Sequence, residues 1–307
     1  MSTLSLDTRA DEDEWIWESF RYHSRTFSLA AYLLPRSVQM SVATLYLYCR
    51  RVDSIADQRV LEVGRKRALQ EVRQVRDRLD ETLAGRPPAE TVLWRRLAEV
   101  HEQSSLPRGP MYELIEGALW DLEGRPVVSK ADLIEYSNLV GGSVGAMMLP
   151  FLADPERHDE LEPAARKLGI AMQITNIVRD VGEDIDELDR VYLPEHWLDE
   201  HNVSVEALQQ GRVADGYPAL LEAAMEAAEQ RYVDSFEGVA ALPFRSRYGI
   251  RAAARMYREI MNEVRANDYD NLGRRAYVSF RRKLFLLLYD GYERRKHRLT
   301  SDALSGP

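Results

Sequence analysis

The sequence predicts an all-α, single-domain fold, on three observations. Apolar residues recur with the helical period of about 3.6 along most of the chain. Nowhere does a two-residue alternation bounded by turn residues run long enough to build a sheet. Gly and Pro, 17 and 13 of 307 residues, are slightly under their ordinary share and gather at short breaks.

The periodic segments are 13–22, 36–57, 62–84, 89–104, 109–122, 130–149, 159–186, 217–240, 246–267 and 277–290. They are separated at 85–88, 106–110, 124–126 and 154–155, where Gly and Pro punctuate the helices. No break is long or biased enough to be an interdomain linker, and no internal repeat is present. One domain is expected over 21–292, preceded by an acidic segment (1–20) and followed by a basic, flexible tail (293–307).

Composition excludes several classes. Hydrophobic residues at 45% and charged residues at 30% describe a globular chain, not a disordered one. A formal net charge of −9 argues against a broad nucleic-acid face. The single cysteine, Cys49, excludes a disulfide framework and a cysteine-based zinc site. The acidic start lacks the apolar core of a secretory signal. Uncharged apolar stretches such as 144–153 and 284–289 fall far short of the ~18–20 residues that span a bilayer. A soluble, cytoplasmic protein is the expectation. The run 274–298 carries nine Lys or Arg against Asp290 and Glu293. It is either a solvated helix face or a patch that attracts anionic lipid or diphosphate.

Two carboxylate pairs stand out. On a helix, Asp53 and Asp57 lie about 40° apart, with Tyr46 and Arg50 on the same side at roughly +20° and +60° from Asp53. Like charges at i,i+4 repel by a few tenths of a kcal/mol, so the pair is either a solvated face or a site that gathers cations. The second pair is more telling. Taking Gln173 as the origin, Asn176, Asp180 and Asp184 fall at about −60°, −20° and +20°. Four oxygen-bearing side chains thus share one stripe of a helix that is otherwise rich in Leu, Ile, Met and Val. A helix apolar nearly all round is buried, and buried polar groups need partners. The stripe therefore faces a polar cavity, a metal or a partner helix; a structural hydrogen-bond network is the alternative.

A third element holds Gly141, Gly142 and Gly145 in a predicted helix, at a cost on the order of 1 kcal/mol each relative to Ala. The order G-G-x-x-G, with no strand before it, is not a dinucleotide fingerprint. Close approach of a neighbouring helix, or room for an apolar ligand chain, accounts for it. Carboxylates in i,i+4 pairs on two facing helices suit two or three Mg²⁺ ions holding a diphosphate, because Mg²⁺ takes oxygen ligands and keeps phosphate company. The ions would neutralise a leaving group as its C–O bond breaks. Arg50 and Arg179, beside the two pairs, are candidates for diphosphate contacts or for ion pairs to the neighbouring Asp.

With these elements in order, the chain resembles the squalene/phytoene synthase family over about residues 20–290. The most specific stretch is Leu168-Gly169, Gln173, Asn176-Ile177, Arg179-Asp180-Val181, Asp184 and Arg190-Val191-Tyr192-Leu193-Pro194. His23-Ser24-Arg25-Thr26-Phe27 is similar to the family's substrate-binding segment, and Asp53 to Asp57 to its first Asp-rich motif. Arg255-Met256-Tyr257 and Arg275-Ala276-Tyr277-Val278 resemble its late helices. The segment from Tyr136 resembles its first signature, but Gly141 stands where Ala is usual and Ser143 where an aliphatic or Thr is usual.

The resemblance implies an isoprenoid-synthase fold, helices around a central apolar cavity, with diphosphates held by Mg²⁺ (Mn²⁺ substituting) at the mouth. It implies head-to-head condensation through a cyclopropylcarbinyl diphosphate. Asp53, Asp57, Asn176, Asp180 and Asp184 become metal ligands, and the four Asp with Tyr136 and Tyr257 the catalytic set. His23, Ser24, Arg25, Tyr46, Arg50, Gln173, Asn176, Arg179 and Arg275 become substrate-binding residues. Tyr46, Tyr136 and Tyr257 are the candidates to face a carbocation, since an aromatic face stabilises charge without attacking it. Residues 180–184 and 48–51 are closer to the phytoene and dehydrosqualene branches, which points to phytoene from two geranylgeranyl diphosphates without NADPH. The alternative is the C15 branch, which makes dehydrosqualene, squalene or hydroxysqualene from farnesyl diphosphate. Lipidic substrate and product imply peripheral contact with the inner face of a membrane, through residues such as 285–289 and 294–298. No signal for oligomeric state is present.

Overall fold

The computed structural model describes residues 8–88 and 91–286, apart from the side chains of residues 25 and 26. The expected tail over 293–307, the end of the helix expected over 277–290 and the membrane-facing residues suggested over 294–298 lie outside the described residues. Every regular element described is helical: α1 (Arg9–His23), α2 (Arg25–Ala31), α3 (Arg36–Ser54), α4 (Val60–Val63), α5 (Arg65–Leu83), α6 (Val92–Ser104), α7 (Arg108–Glu123), α8 (Lys130–Ser137), α9 (Ser143–Leu152), α10 (His158–Leu188), α11 (Glu195–Glu200), α12 (Val205–Gln209), α13 (Tyr217–Ala241) and α14 (Phe244–Ala266). The all-α expectation holds.

Local chemistry sets several ends. Thr8 and Ser129 cap α1 and α8, each in a reciprocal box with an Asp three residues on. α7 stops at Gly124, whose left-handed backbone (φ 65°) suits glycine. Much of the acidic first segment folds as α1, with Ile16 and Phe20 buried in the core. Helices α2, α11 and α12 are too short for their period to be read from sequence.

Two expected helices are not continuous. The segment 36–57 leaves α3 at Ser54 and passes through a π-helical turn, Ile55–Arg59, which carries Asp57. The segment 130–149 is broken by a second π-helical turn, Asn138–Gly142. At each widened turn a serine hydroxyl donates to the carbonyl four residues back: Ser54 Oγ to Arg50 at 2.6 Å and Ser143 Oγ to Leu139 at 2.5 Å. Such side-chain bonds bend helices, and π-turns recur at functional sites.

The core has two lobes. One gathers around α1, α3, α5, α6 and α7; the other around α10, α13 and α14. Between them lies a cavity of about 260 Å³, lined by residues of α2, α3, α9, α10, α13 and α14. Helix α10, 31 residues long, packs against α8, α9, α13 and α14 and supplies one wall. Its crossing with the second π-turn and α9 is backbone on backbone. A Cβ on Gly141 would overlap the Gly169 carbonyl, one on Gly169 the Gly141 carbonyl, and one on Gly145 the Ala165 carbonyl. These same glycines line the cavity, so helix crossing and room for a chain are one feature rather than two alternatives.

The crossing makes a specific demand on stability. Gly169→Ala should lower the unfolding free energy by about 1–3 kcal/mol in urea titration, as overpacking does. Gly109→Ala, where nothing lies within 4 Å of the new Cβ, should leave it unchanged or slightly higher. Equal losses at both positions would contradict the close approach.

Candidate active site

Two cavities meet at one junction. The apolar cavity between the lobes abuts a wider, wetter mouth of about 1800 Å³, and Phe27, Tyr46, Asp53 and Asn176 border both. The mouth is lined in addition by His23, Ser24, Arg50, Arg179, Tyr257 and Arg275. Most of the expected substrate-binding residues therefore surround one space. Gln173 lies on the apolar side, and the side chain of Arg25 lies outside the described residues.

The mouth's first edge is built by chain reversal. Ser24 ends α1 and caps α2, its Oγ accepting from the Phe27 amide at 3.1 Å. That turn sets Phe27 against Tyr257 (ring centroids 5.2 Å) and Tyr46 (6.1 Å). Burial raises the phenol of Tyr257, and raises that of Tyr46 to about 12, so both rings stay neutral at physiological pH. Burial also lowers the His23 imidazole, helped by Arg50 nearby.

Opposite lies the acidic row. Asp180 accepts from both neighbouring guanidiniums: Arg179 Nε at 2.7 Å and Arg275 Nη2 at 3.2 Å. Arg275 also pairs with Glu183 at 2.8 Å. It arrives on the loop after α14, which rests directly on α10. The Gly182 amide donates to the Asn271 carbonyl at 3.3 Å, and a Cβ there would overlap the Leu272 carbonyl. Asn271 Nδ2 in turn donates to the Val178 carbonyl, and the Tyr217 hydroxyl to Asn271 Oδ1 at 2.6 Å. Gly182 is thus the reason Arg275 reaches Asp180.

Two residues of the site were given no role from the sequence: Asp121, which was not singled out, and Arg190, which was read only as part of the signature. Asp121, on α7, is a buried carboxylate that accepts from Tyr192 at 2.8 Å and Tyr136 at 3.0 Å. Arg190 donates to Asp57 at 3.3 Å and to the Ala56 carbonyl at 2.9 Å, and lies 3.8 Å from Asp121. The turn that returns it begins at Asp189, in the left-handed region (φ 52°), with the Arg190 amide donating to the Asp184 carbonyl. Asp121 shares a face of α7 with the buried Leu114, Gly117 and Ala118, and an acid on that face is the signal that marks it. Tyr136 is placed differently from the expectation. It lines neither cavity; its ring stacks on Tyr192 at 4.8 Å because both hydroxyls share Asp121.

Crowding governs the electrostatics. Burial, then repulsion from Asp57, pushes the Asp53 carboxyl up to about 8 despite Arg50. Burial, then repulsion from Asp180, Asp57 and Asp121, pushes Asp184 up to about 8. Asp121 rises to about 7 from burial, against the pull of Arg190. Asp57 is raised by burial, with Arg190 and Arg50 opposing. Among the described residues no three carboxylate, imidazole or thiolate groups converge on one point. Arginines, not a shared focus, hold Asp57 and Asp180. The donor set nevertheless fits a hard divalent cation. It is all oxygen, its carboxylates repel one another, and the buried Asn176 Oδ1 has no hydrogen-bond partner.

Comparison with known proteins follows this geometry. The squalene/phytoene synthase family model matches residues 20–282. The chain belongs to the squalene/phytoene synthase family. It is a prenyltransferase of a family that uses prenyl diphosphates and generally depends on a metal. Its sequence is 38% identical over 279 residues to a phytoene synthase of Thermus thermophilus, covering 90% of this chain and 92% of that one. It is 37% identical over 278 residues to one of Cereibacter sphaeroides, covering 88% and 76%. A dehydrosqualene synthase crystal structure superposes with a TM-score of 0.82 at 32% identity, over 95% of this chain and 98% of that one. The fold is also that of the squalene synthase HpnC of Alicyclobacillus acidocaldarius (TM-score 0.74, 21% identity, 84% and 94% covered).

The raised carboxyls carry a pH signature. In the unfolded chain Asp53 titrates near 3.8. Between that value and about 8 the folded state binds the extra proton, so stability falls as pH rises through this window. Millimolar Mg²⁺ should therefore raise the thermal midpoint by a few degrees more near the top of the window than near its bottom. Asp53→Asn should shrink that difference. A Mg²⁺ shift independent of pH would speak against these carboxylates as its ligands.

Proposed function

We propose that the protein joins two molecules of geranylgeranyl diphosphate head to head to give phytoene. The observation that carries this is the junction itself. A wet mouth holding Arg50, Arg179 and Arg275 opens, past Asp53 and Asn176, into an apolar cavity. A prenyl diphosphate has the same two halves. Bound between Asp53, Asp57, Asn176, Asp180 and Asp184, two or three Mg²⁺ ions would supply the positive charge that stabilises a departing diphosphate.

The chain's own groups do the rest. The guanidiniums bind diphosphate oxygens, Arg179 and Arg275 exchanging intramolecular carboxylates for substrate as it enters. Asp121 fixes Arg190 between two acids and so positions Asp57. The apolar wall excludes water from an allylic cation, and the rings of Phe27, Tyr46 and Tyr257 present aromatic faces to it. One donor loses diphosphate, the double bond of the second attacks its C1, and a proton leaves as the cyclopropane closes. The second diphosphate then departs, the ring rearranges to the C1–C1′ bond, and a second proton is lost. Two protons and two diphosphates leave and the hydrocarbon stays unreduced, so NADPH has no place in the balance.

The choice of C20 over C15 substrate is supported by the bacterial phytoene synthases at 37–38% identity. It is also supported by small residues along the cavity: Ala31, Gly145, Ala164, Gly238 and Gly249 line it where bulkier side chains would shorten it. Among the described residues no helix is long and apolar enough to cross a membrane. Lipidic substrate and product support a peripheral position at the inner face of a membrane.

Incubation of the purified protein with Mg²⁺ and each diphosphate should give a C40 hydrocarbon from geranylgeranyl diphosphate, unaffected by NADPH. C30 product from farnesyl diphosphate, with the C20 substrate untouched, would refute the assignment. Asp180→Asn should lower turnover by about three orders of magnitude or more while leaving the helical circular dichroism intact. Retained activity would contradict its role.

A further inference from the structure

The large exposed apolar side chains are not spread evenly. Tyr22 in the last turn of α1, Tyr32 just after α2, and Tyr277 and Phe280 after α14 come from three separate stretches, yet all border the same mouth. Tyr22, Tyr277 and Phe280 are 85%, 71% and 71% exposed. Leu284 lies one turn beyond Phe280 in the helical residues 280–286, on the same face, and is exposed as well. Trp15, exposed as well, also borders the mouth, whereas Leu61, Val213, Val233, Phe236 and Phe244 sit outside the two cavity linings.

Charge follows the same pattern. Residues 274–283 carry Arg274, Arg275, Arg281, Arg282 and Lys283 and no acid, in a chain of net charge −9. Arg275 and Arg282 are committed to Asp180 and Glu259. Arg274 and Arg281 add cationic charge beside the aromatics, and Arg21 borders the mouth from the other side. Tyrosines with wet hydroxyls and apolar rings, next to cations, are the composition of a membrane–water interface. Each Lys or Arg near an anionic leaflet adds to the attraction.

We propose that this aromatic and basic rim is a docking face for an anionic lipid bilayer, seated so that the mouth opens onto the lipid. The proposal rests on the functional reading above for its reason: a prenyl chain enters, and a C40 hydrocarbon leaves, without crossing water. Its geometry does not depend on that reading. The rim borders the mouth that leads into the apolar cavity, and its cations complement the charge of phosphatidylglycerol headgroups.

Flotation of the full-length protein with phosphatidylcholine vesicles, with and without phosphatidylglycerol, tests it. Wild type should float with the anionic vesicles and much less with the neutral ones. The double variant Phe280→Ser/Leu284→Ser should lose about tenfold in partitioning, as expected for removing about 1.4 kcal/mol of interfacial contact. Val233→Ser/Phe236→Ser, exposed on α13, should float like wild type. Turnover of detergent-dispersed substrate is measured in parallel. It should be unchanged in the rim variant, which also reports that the variant is folded. Binding to neither vesicle would assign the rim to a partner of another class and overturn the proposal. Equal binding to both vesicles, or equal losses in the two double variants, would overturn it too. Absent turnover with vesicle binding intact would instead count against the catalytic assignment alone.

Discussion

Carboxylate crowding is the constraint on which the rest of the molecule depends. Asp53, Asp57, Asp121, Asp180 and Asp184 come from α3, a π-turn, α7 and α10, and burial followed by mutual repulsion raises the carboxyls of Asp53, Asp121 and Asp184. Such an arrangement is unfavourable until cations enter it. Arg179, Arg190 and Arg275 meet part of that need from within the chain. The capacity left over, with the unpartnered Asn176 oxygen at its inner edge, is what suits the site to ions and a charged substrate.

Several features of the fold make sense as ways of building that place. Helix α10 comes close enough to α9 to form a wall only because glycines meet at the crossing. The loop after α14 lies flat on α10 because Gly182 has no side chain, and Arg275 is delivered as a result. The π-turn after Ser54 re-aims Asp57 toward Arg190. Aromatic rings stand where the wet mouth gives way to the apolar cavity, so charge is created at the border of two media and only one of its halves has somewhere wet to go.

What was legible in the sequence followed from period. The stripe Gln173–Asn176–Asp180–Asp184 could be read because one uninterrupted helix of 31 residues carries all four at regular spacing. The π-turns could not be read, since a shift from i−4 to i−5 hydrogen bonding changes no hydrophobic period over so few residues. Arg190 is brought back to the site by a left-handed Asp189, a reversal that spacing does not encode. Tyr136 shows the opposite difficulty. Its place in a signature segment suggested a face on the reacting chain, but a carboxylate from a helix earlier in the chain claims its hydroxyl. Asp121 was legible in principle, as an acid on the face of α7 that Leu114, Gly117 and Ala118 bury. Partners supplied by tertiary packing are what a single chain's pattern leaves out.

The most direct measurement is anomalous diffraction from a crystal soaked with Mn²⁺ and a non-ionising prenyl diphosphate analogue. Metal peaks should fall between the carboxylates of α3 and α10, touching the analogue's diphosphate, with its hydrocarbon chain running past Tyr46 and Met172 into the cavity between the lobes. Metal bound elsewhere, or a prenyl chain lying along the outer surface with the cavity empty, would contradict the account.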